Sequence, residues 1–331
     1  MKKKQRWIAF SAVCALTLGM LAGCGSNVSS DVANGGSDAA SGSGEKPVIG
    51  VVLNHTQDIF MKNVEKGVQQ AAEANPDYEI KIVESGQDPA KQLSQVEQFI
   101  SEQVDIIVLN PTNQEASASA IDAAVEADIP IMTVNTTSTD EAQAKCVTYV
   151  GSDAVESGRI QARYVAELLN GKGNVAYMDA IIGHQAQIDR RKGWDEVMAD
   201  YPDIKIVLDG AGNFIQADAM ELTENWLQSG EDIDVIVCQG VDMACGAVLA
   251  LEDAGLAGQI PVSGIDMSED GVSYLKDGSI CNLVFQDALG QGEQSIETAI
   301  KILNGEEVEK VIDIPYELVT TENVDDYAGR Y

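Results

Sequence analysis

The stretch P-V-I-G-V-V-L-N-H-T-Q-D-I-F-M-K-N-V-E-K-G-V-Q-Q-A-A, from Pro47 to Ala72, decides the fold. Its opening run, Val48, Ile49, Val51, Val52 and Leu53, is apolar and rich in β-branched residues, the pattern of a strand buried on both faces. A polar loop, Asn54 to Asp58, follows. Phe60 and Met61 then lead into a segment whose apolar positions Val64, Val68, Ala71 and Ala72 fall on one face of a 3.6-residue period, which predicts an amphipathic helix. Strand, polar turn and helix make the unit of an open α/β sheet. Ligands in such sheets sit beyond the carboxyl ends of the strands, so the turn is where recognition is expected.

The same alternation runs on toward the C terminus. Apolar runs at 79–83, 105–109, 130–134 and 147–150 are separated by helical patterns such as 90–103, where Leu93, Val96, Phe99 and Ile100 share a face. The pattern then restarts with runs at 174–178, 204–208, 234–238, 261–264 and 281–285, followed by a helix over 294–303 and a strand over 311–314. One sheet is a poor container for so many βα units, so two doubly wound parallel-sheet α/β lobes are expected.

Upstream of Lys46 the chain reads differently. Lys2, Lys3, Lys4 and Arg6 precede an apolar segment from Trp7 to Gly23, the basic and hydrophobic regions of an export signal, too short for a spanning helix. Leu21-Ala22-Gly23-Cys24 resembles a bacterial lipobox, which implies cleavage before Cys24 and a diacylglycerol on its thiol. A single lipid site anchors a protein without making it span. Residues 24–45 are dominated by Gly, Ser, Asp, Ala and Asn and read as a tether, with an average reach of roughly 25 Å. These features predict an extracytoplasmic, lipid-anchored protein.

Charge and cysteine content narrow the function. The formal net charge is −32, and loss of the basic leader makes it more negative still. No basic patch is available for phosphates, which excludes nucleic acid, and the protein surface has no attraction for an anionic bilayer. Cys146, Cys238, Cys245 and Cys281 form no C-x-x-C pair, and His55 and His184 lack metal-ligand spacing. Buried free thiols are expected, with no metal and no cofactor. Asp266 to Gly271 partly imitates a calcium loop, but its twelfth position is Asp277 and a strand precedes it directly. Neither G-x-S-x-G, H-E-x-x-H nor a P-loop occurs.

Polar residues gather just past the strand ends: Asn54 and Asp58, then Asn110, Asn135, His184, Arg190, Asp266 and Gln286. Planar amides, carboxylates and guanidinium groups bond adjacent hydroxyls in pairs, the geometry a sugar or cyclitol offers. Phe60 and Phe214 supply flat apolar faces for a ring. Each polar residue has a plainer alternative as a helix cap.

Here a family resemblance becomes visible. The chain from Lys46 to Tyr331 resembles the type I periplasmic binding proteins of ABC sugar transporters, the ribose and galactose/glucose group. The stretches that carry it are I-G-V-V-L from Ile49, D-I-F-M from Asp58, V-L-N-P-T from Val108, Y-V-G-S-D-A-V-E-S-G from Tyr149, M-A-C-G-A from Met243 and G-I-D from Gly264. The resemblance implies a ligand set of Asn54, Asp58, Phe60, Asn110, Asn135, His184, Arg190, Phe214, Asp266 and Gln286, with Phe60 and Phe214 stacking on a sugar. It also implies crossings near Gly151, Gln286 and Ile314, hence lobes of 46–151 plus 287–313 and 152–286 plus 314–331. Gly240-Val241 stands where the family usually has Asn-Asp, Ala186 where galactose/glucose members have Asp, and 169–173 is too short for those members' calcium loop. The implied function is capture of a sugar or polyol by a monomer and delivery to an ABC permease. The alternatives are a receptor subunit for a sensor kinase, or a cyclitol such as myo-inositol in place of an aldose.

Overall fold

The computed structural model describes residues 46–57 and 59–331. The leader, the tether with Cys24, and Asp58 lie outside the described residues.

The first sheet is built from β1 (Val48–Leu53), β2 (Glu79–Glu84), β3 (Ile106–Leu109), β4 (Ile131–Val134) and β5 (Tyr149–Gly151). Helices α1 (Ile59–Ala74), α2 (Pro89–Ser101), α3 (Gln114–Glu126) and α4 (Asp140–Gln143) connect them. Their starts are written locally. Asp88 Oδ1 accepts the amides of Ala90 and Lys91 ahead of α2, with Pro89 at the first helical position, and Asn113 Oδ1 accepts Ala116 N for α3.

After β5 the chain leaves this sheet. Helix α5 (Ala154–Leu168) leads into β6 (Lys172–Asp179), α6 (Gln185–Met198), β7 (Asp203–Ala211), α7 (Gln216–Ser229), β8 (Val235–Cys238), α8 (Val241–Asp253), β9 (Val262–Ile265), α9 (Glu269–Asp277) and β10 (Ile280–Phe285). It then returns through α10 (Ala288–Leu303) and β11 (Val311–Asp313) to the first sheet, and crosses once more to place β12 (Glu317–Val319) in the second.

Two six-stranded sheets result, in the orders β11-β5-β4-β3-β1-β2 and β12-β10-β9-β8-β6-β7. All neighbours are parallel except β12, which runs antiparallel to β10. The expected pair of doubly wound lobes is thus correct apart from this short antiparallel edge. Ser268 caps α9, and residues 269–277 are helical, so the calcium-like run after Asp266 forms no ligand loop.

Each sheet is covered on both faces. In the first lobe one face packs Val51, Leu53 and Val108 against Val64, Val68, Ile296 and Ala299 of α1 and α10, and the other packs Ile107 and Leu109 against Phe99 and Ile121. In the second lobe Met178, Ile236 and Cys238 meet Met243 and Val248 on one side, while Tyr177 and Val237 meet Val165 and Trp194 on the other. Cys146, Cys238 and Cys245 are buried free thiols, and Cys281 is half-buried and free. Among the described residues no helix is long and apolar enough to cross a membrane.

Helix pairs approach unusually closely in both lobes, α7 and α8 at Gly246 and two further pairs through reciprocal glycines. A methyl group on Gly67 of α1 would overlap the Leu289 carbonyl of α10, and one on Gly292 would overlap that of Val64. In the second lobe Gly158 of α5 abuts the Arg190 carbonyl of α6, and Gly193 abuts that of Val155. The second contact fixes the backbone that carries Arg190.

Candidate functional site

A cavity of about 900 Å³ lies where the carboxyl ends of strands from both sheets face each other. The first lobe contributes Asn54 after β1, Phe60 at the start of α1 and Asn135 after β4; the second contributes His184, Arg190, Phe214 and Asp266. Gln286 lines it from the chain passage after β10.

Backbone strain concentrates here. Asn135 (φ 62°), Phe214 (φ 59°) and Asp266 (φ 73°) are all non-glycine residues in the left-handed region, and each lines the cavity. Such conformations cost about 1–3 kcal/mol apiece and persist where the surroundings over-determine them. At Asn135 they do so explicitly. Tyr149 donates its hydroxyl to the Asn135 carbonyl (2.9 Å), and the Asn135 amide donates to Gln291 Oε1 (3.0 Å).

Arg190 is only 4% exposed. Its Nη1 donates to the Gln239 carbonyl and its Nη2 to Asp266 Oδ2 (3.4 Å), whereas Nε has no partner. Burial works against the guanidinium charge, but Asp266 and Tyr316 outweigh it and raise its pKa above the ordinary value. Tyr316, buried beside it, is pushed up to about 12, chiefly by desolvation. A buried N–H without a partner is a costly group that the surrounding packing has to hold in place.

The aromatic wall of the second lobe depends on the absence of a side chain. A Cβ on Gly240 would lie 2.9 Å from Phe214 Cδ1 and 3.2 Å from Cε1, so the ring is seated in the space that residue 240 leaves open. His184 meets the ring edge-on, with centroids 5.9 Å apart, and the Arg190 guanidinium carbon is 5.9 Å from the ring centre. His184 also caps α6, its Nδ1 accepting Ala186 N (3.2 Å), which leaves the ring proton of the neutral form on Nε2. Partial enclosure by the cleft, then the charges of Arg190 and His55, lower the His184 pKa.

Asn110 stands apart from the expected set. It is fully buried and outside the cavity lining. Its Oδ1 accepts the Asn54 amide N–H (3.2 Å), and its Nδ2 donates to the Val134 carbonyl (3.0 Å). In the structure, then, the side chain expected to bond a ligand ties the ends of β1 and β4 together. Asp58 lies outside the described residues. Cavity residues not expected from the sequence include Tyr149, Tyr316, Asp153, Asp189 and Asp313. Asp189 precedes Arg190 directly, and Tyr149 and Asp153 lie in the stretch Y-V-G-S-D-A-V-E-S-G; Asp313 and Tyr316 join them only through the chain passages between sheets.

The fold and cleft define a two-lobed solute receptor. The pattern of the periplasmic binding protein domain matches residues 49–307, and the chain belongs to that family in its type I form, the sugar-binding solute receptors of ABC transporters. Among curated relatives, a putative rhizopine-binding protein of Rhizobium meliloti is 33% identical over 85% of this chain and 93% of its own length. The ribose import binding protein of Bacillus subtilis is 28% identical over 94% and 98%. A solute-binding protein of Bacillus halodurans solved with bound myo-inositol is 38% identical, covers 86% of this chain and 98% of its own, and superimposes with a TM-score of 0.80. The family is one of extracytoplasmic solute-binding proteins of importers and not of enzymes.

Proposed function

We propose that this chain is a lipid-anchored receptor, held by Cys24, that captures a cyclic polyol between its lobes and delivers it to an ABC permease. The observation that carries this reading is one cavity, lined from both lobes, that brings the rings of Phe60 and Phe214 together with the polar side chains of Asn54, Asn135, Arg190 and Asp266. Asn54, Asn135, Asp266 and Gln286 accompany Arg190 as proposed hydroxyl partners, His184 borders the aromatic wall, and Asp58 is proposed from the resemblance alone. Ligand contacts to both lobes favour the closed form by differential affinity. Likeness to the myo-inositol-bound Bacillus halodurans protein makes a cyclitol the first choice and an aldose the second.

The test is a thermal-shift and calorimetric screen of the purified protein, as a monomer, against myo-inositol, ribose, glucose and galactose. A specific ligand at a hundredfold excess over Kd stabilises the folded state by about 2.7 kcal/mol and so raises the melting temperature. Absence of a shift with every cyclitol and sugar refutes the reading. The anchor is tested separately: Cys24→Ala should release the protein from the cell surface into the medium.

A further inference from the structure

The chain passes between the sheets three times, and the passages are tied to one another. The first leaves β5 at Gly151, the second runs from Phe285 to Ala288, and the third runs from Asp313 to Glu317. Ile314 N donates to the Gly151 carbonyl (2.8 Å), which joins the third to the first, and Gln291 Nε2 in α10 donates to Ser152 Oγ (2.9 Å), which joins the second to the first. The second and third are joined by a charge brought from elsewhere in the chain.

Arg330 Nη2 donates to Asp287 Oδ2 (2.9 Å) and to Glu317 Oε1 (3.3 Å), one residue from each of these two crossings. The other oxygen of Asp287, Oδ1, accepts Gly290 N (2.9 Å) and so caps α10, a helix packed on the first sheet through Ile296 and Ala299. Arg330 itself is seated on the second lobe. Its guanidinium carbon lies 4.6 Å from the centre of the Phe285 ring and 5.1 Å from that of Tyr327, both members of the second-lobe core. The Tyr327 hydroxyl donates to Glu317 Oε2 (2.8 Å), which closes the arrangement on that side. One carboxylate therefore holds a first-lobe helix with one oxygen and a second-lobe cation with the other. Swinging α10 away from the second lobe stretches the Arg330–Asp287 pair, while the Glu317 pair and the ring contacts travel with the guanidinium.

We infer that Arg330 is a positioning residue that latches α10 to the second lobe through Asp287 and restrains how far the lobes part before a guest arrives. Arg330 and Asp287 lie outside the cavity lining, so the latch acts through the crossings and not through contact with a ligand.

Small-angle X-ray scattering and amide hydrogen exchange on the purified protein without ligand test this, so the outcome is separate from that of the polyol reading. Asp287→Asn keeps the cap, since asparagine caps as well as aspartate, and removes the charge facing Arg330. Arg330→Met keeps an apolar stem over the two rings. Each should extend the interatomic distance distribution to larger separations and speed exchange of the Ile314 N–H about two- to fivefold, the range for a partly exposed ion pair. The double variant should do no more than either single one. Glu317→Gln leaves the Asp287 pair in place and should leave the scattering profile unchanged. The melting temperature of Asp287→Asn should stay within about 2 °C of the parent, so a change in lobe spacing is distinguished from a general loss of structure. A folded Asp287→Asn whose scattering superimposes on the parent's overturns the inference, as does equal broadening by Glu317→Gln. Failure of Asp287→Asn to fold also overturns it, because the pair would then hold the structure and not the spacing of the lobes.

Discussion

Replacement of Asn110 by Ala separates a scaffold residue from a ligand residue. The side chain is fully buried, and its two closest bonds hold the half-buried Asn54 N–H and the buried Val134 carbonyl, with a longer one to Thr136 Oγ1 (3.4 Å). Alanine keeps the space open but satisfies neither. Each orphaned group costs about 1–3 kcal/mol, so the expected loss is about 2–4 kcal/mol of stability. For a body of this size roughly 2 °C accompanies each kcal/mol, and the melting temperature should fall by about 4–8 °C. Circular dichroism on heating reads this directly. Calorimetry well below the transition should show affinity reduced less than tenfold, through slackened anchoring of Asn54. Full thermal stability with binding abolished would mean that the amide faces the ligand, and the geometric argument would be wrong.

Three further outcomes are expected. Arg190→Ala should weaken ligand binding by about 1.5–3 kcal/mol, the range for charge-assisted bonds, read by titration calorimetry. Gly240→Ala should push the Phe214 ring toward the cavity and lower affinity, at an overpacking cost of about 1–3 kcal/mol, while Phe214→Ala in the same background should remove most of the added effect of residue 240. The His184 pKa is lowered in the folded state, so the unfolded chain binds more protons as pH falls through the ordinary histidine range near 6.5. Stability should therefore drop on acidification through that window, and less so in His184→Gln; urea midpoints across mildly acidic to neutral pH check it.

The architecture was readable because its signals are local. Val48 to Leu53 announces a buried strand, and the Val64, Val68 and Ala71 face announces the helix that covers it. Boundaries were lost where tertiary contact overrode composition. The periodicity places the last long helix at 294–303, yet α10 begins at Ala288, because Gly290 and Gly292 read as loop residues while Gly292 is where α10 meets α1. The antiparallel β12 is only three residues long and gives no period to detect. At the site, a strand-end amide looks the same in sequence whether it faces outward, as Asn135 does, or inward, as Asn110 does. Tyr149, Asp189 and Asp313 are far apart along the chain and meet only after it has crossed between sheets, so no spacing rule links them.

Those crossings have a mechanical consequence. A body joined by one flexible segment could swivel in every direction, and a guest would have to freeze that freedom before both jaws met it. Three covalent ties side by side leave little beyond a bend about a single axis. The jaws stay in register before any guest arrives, and binding energy goes into shutting them instead of aligning them.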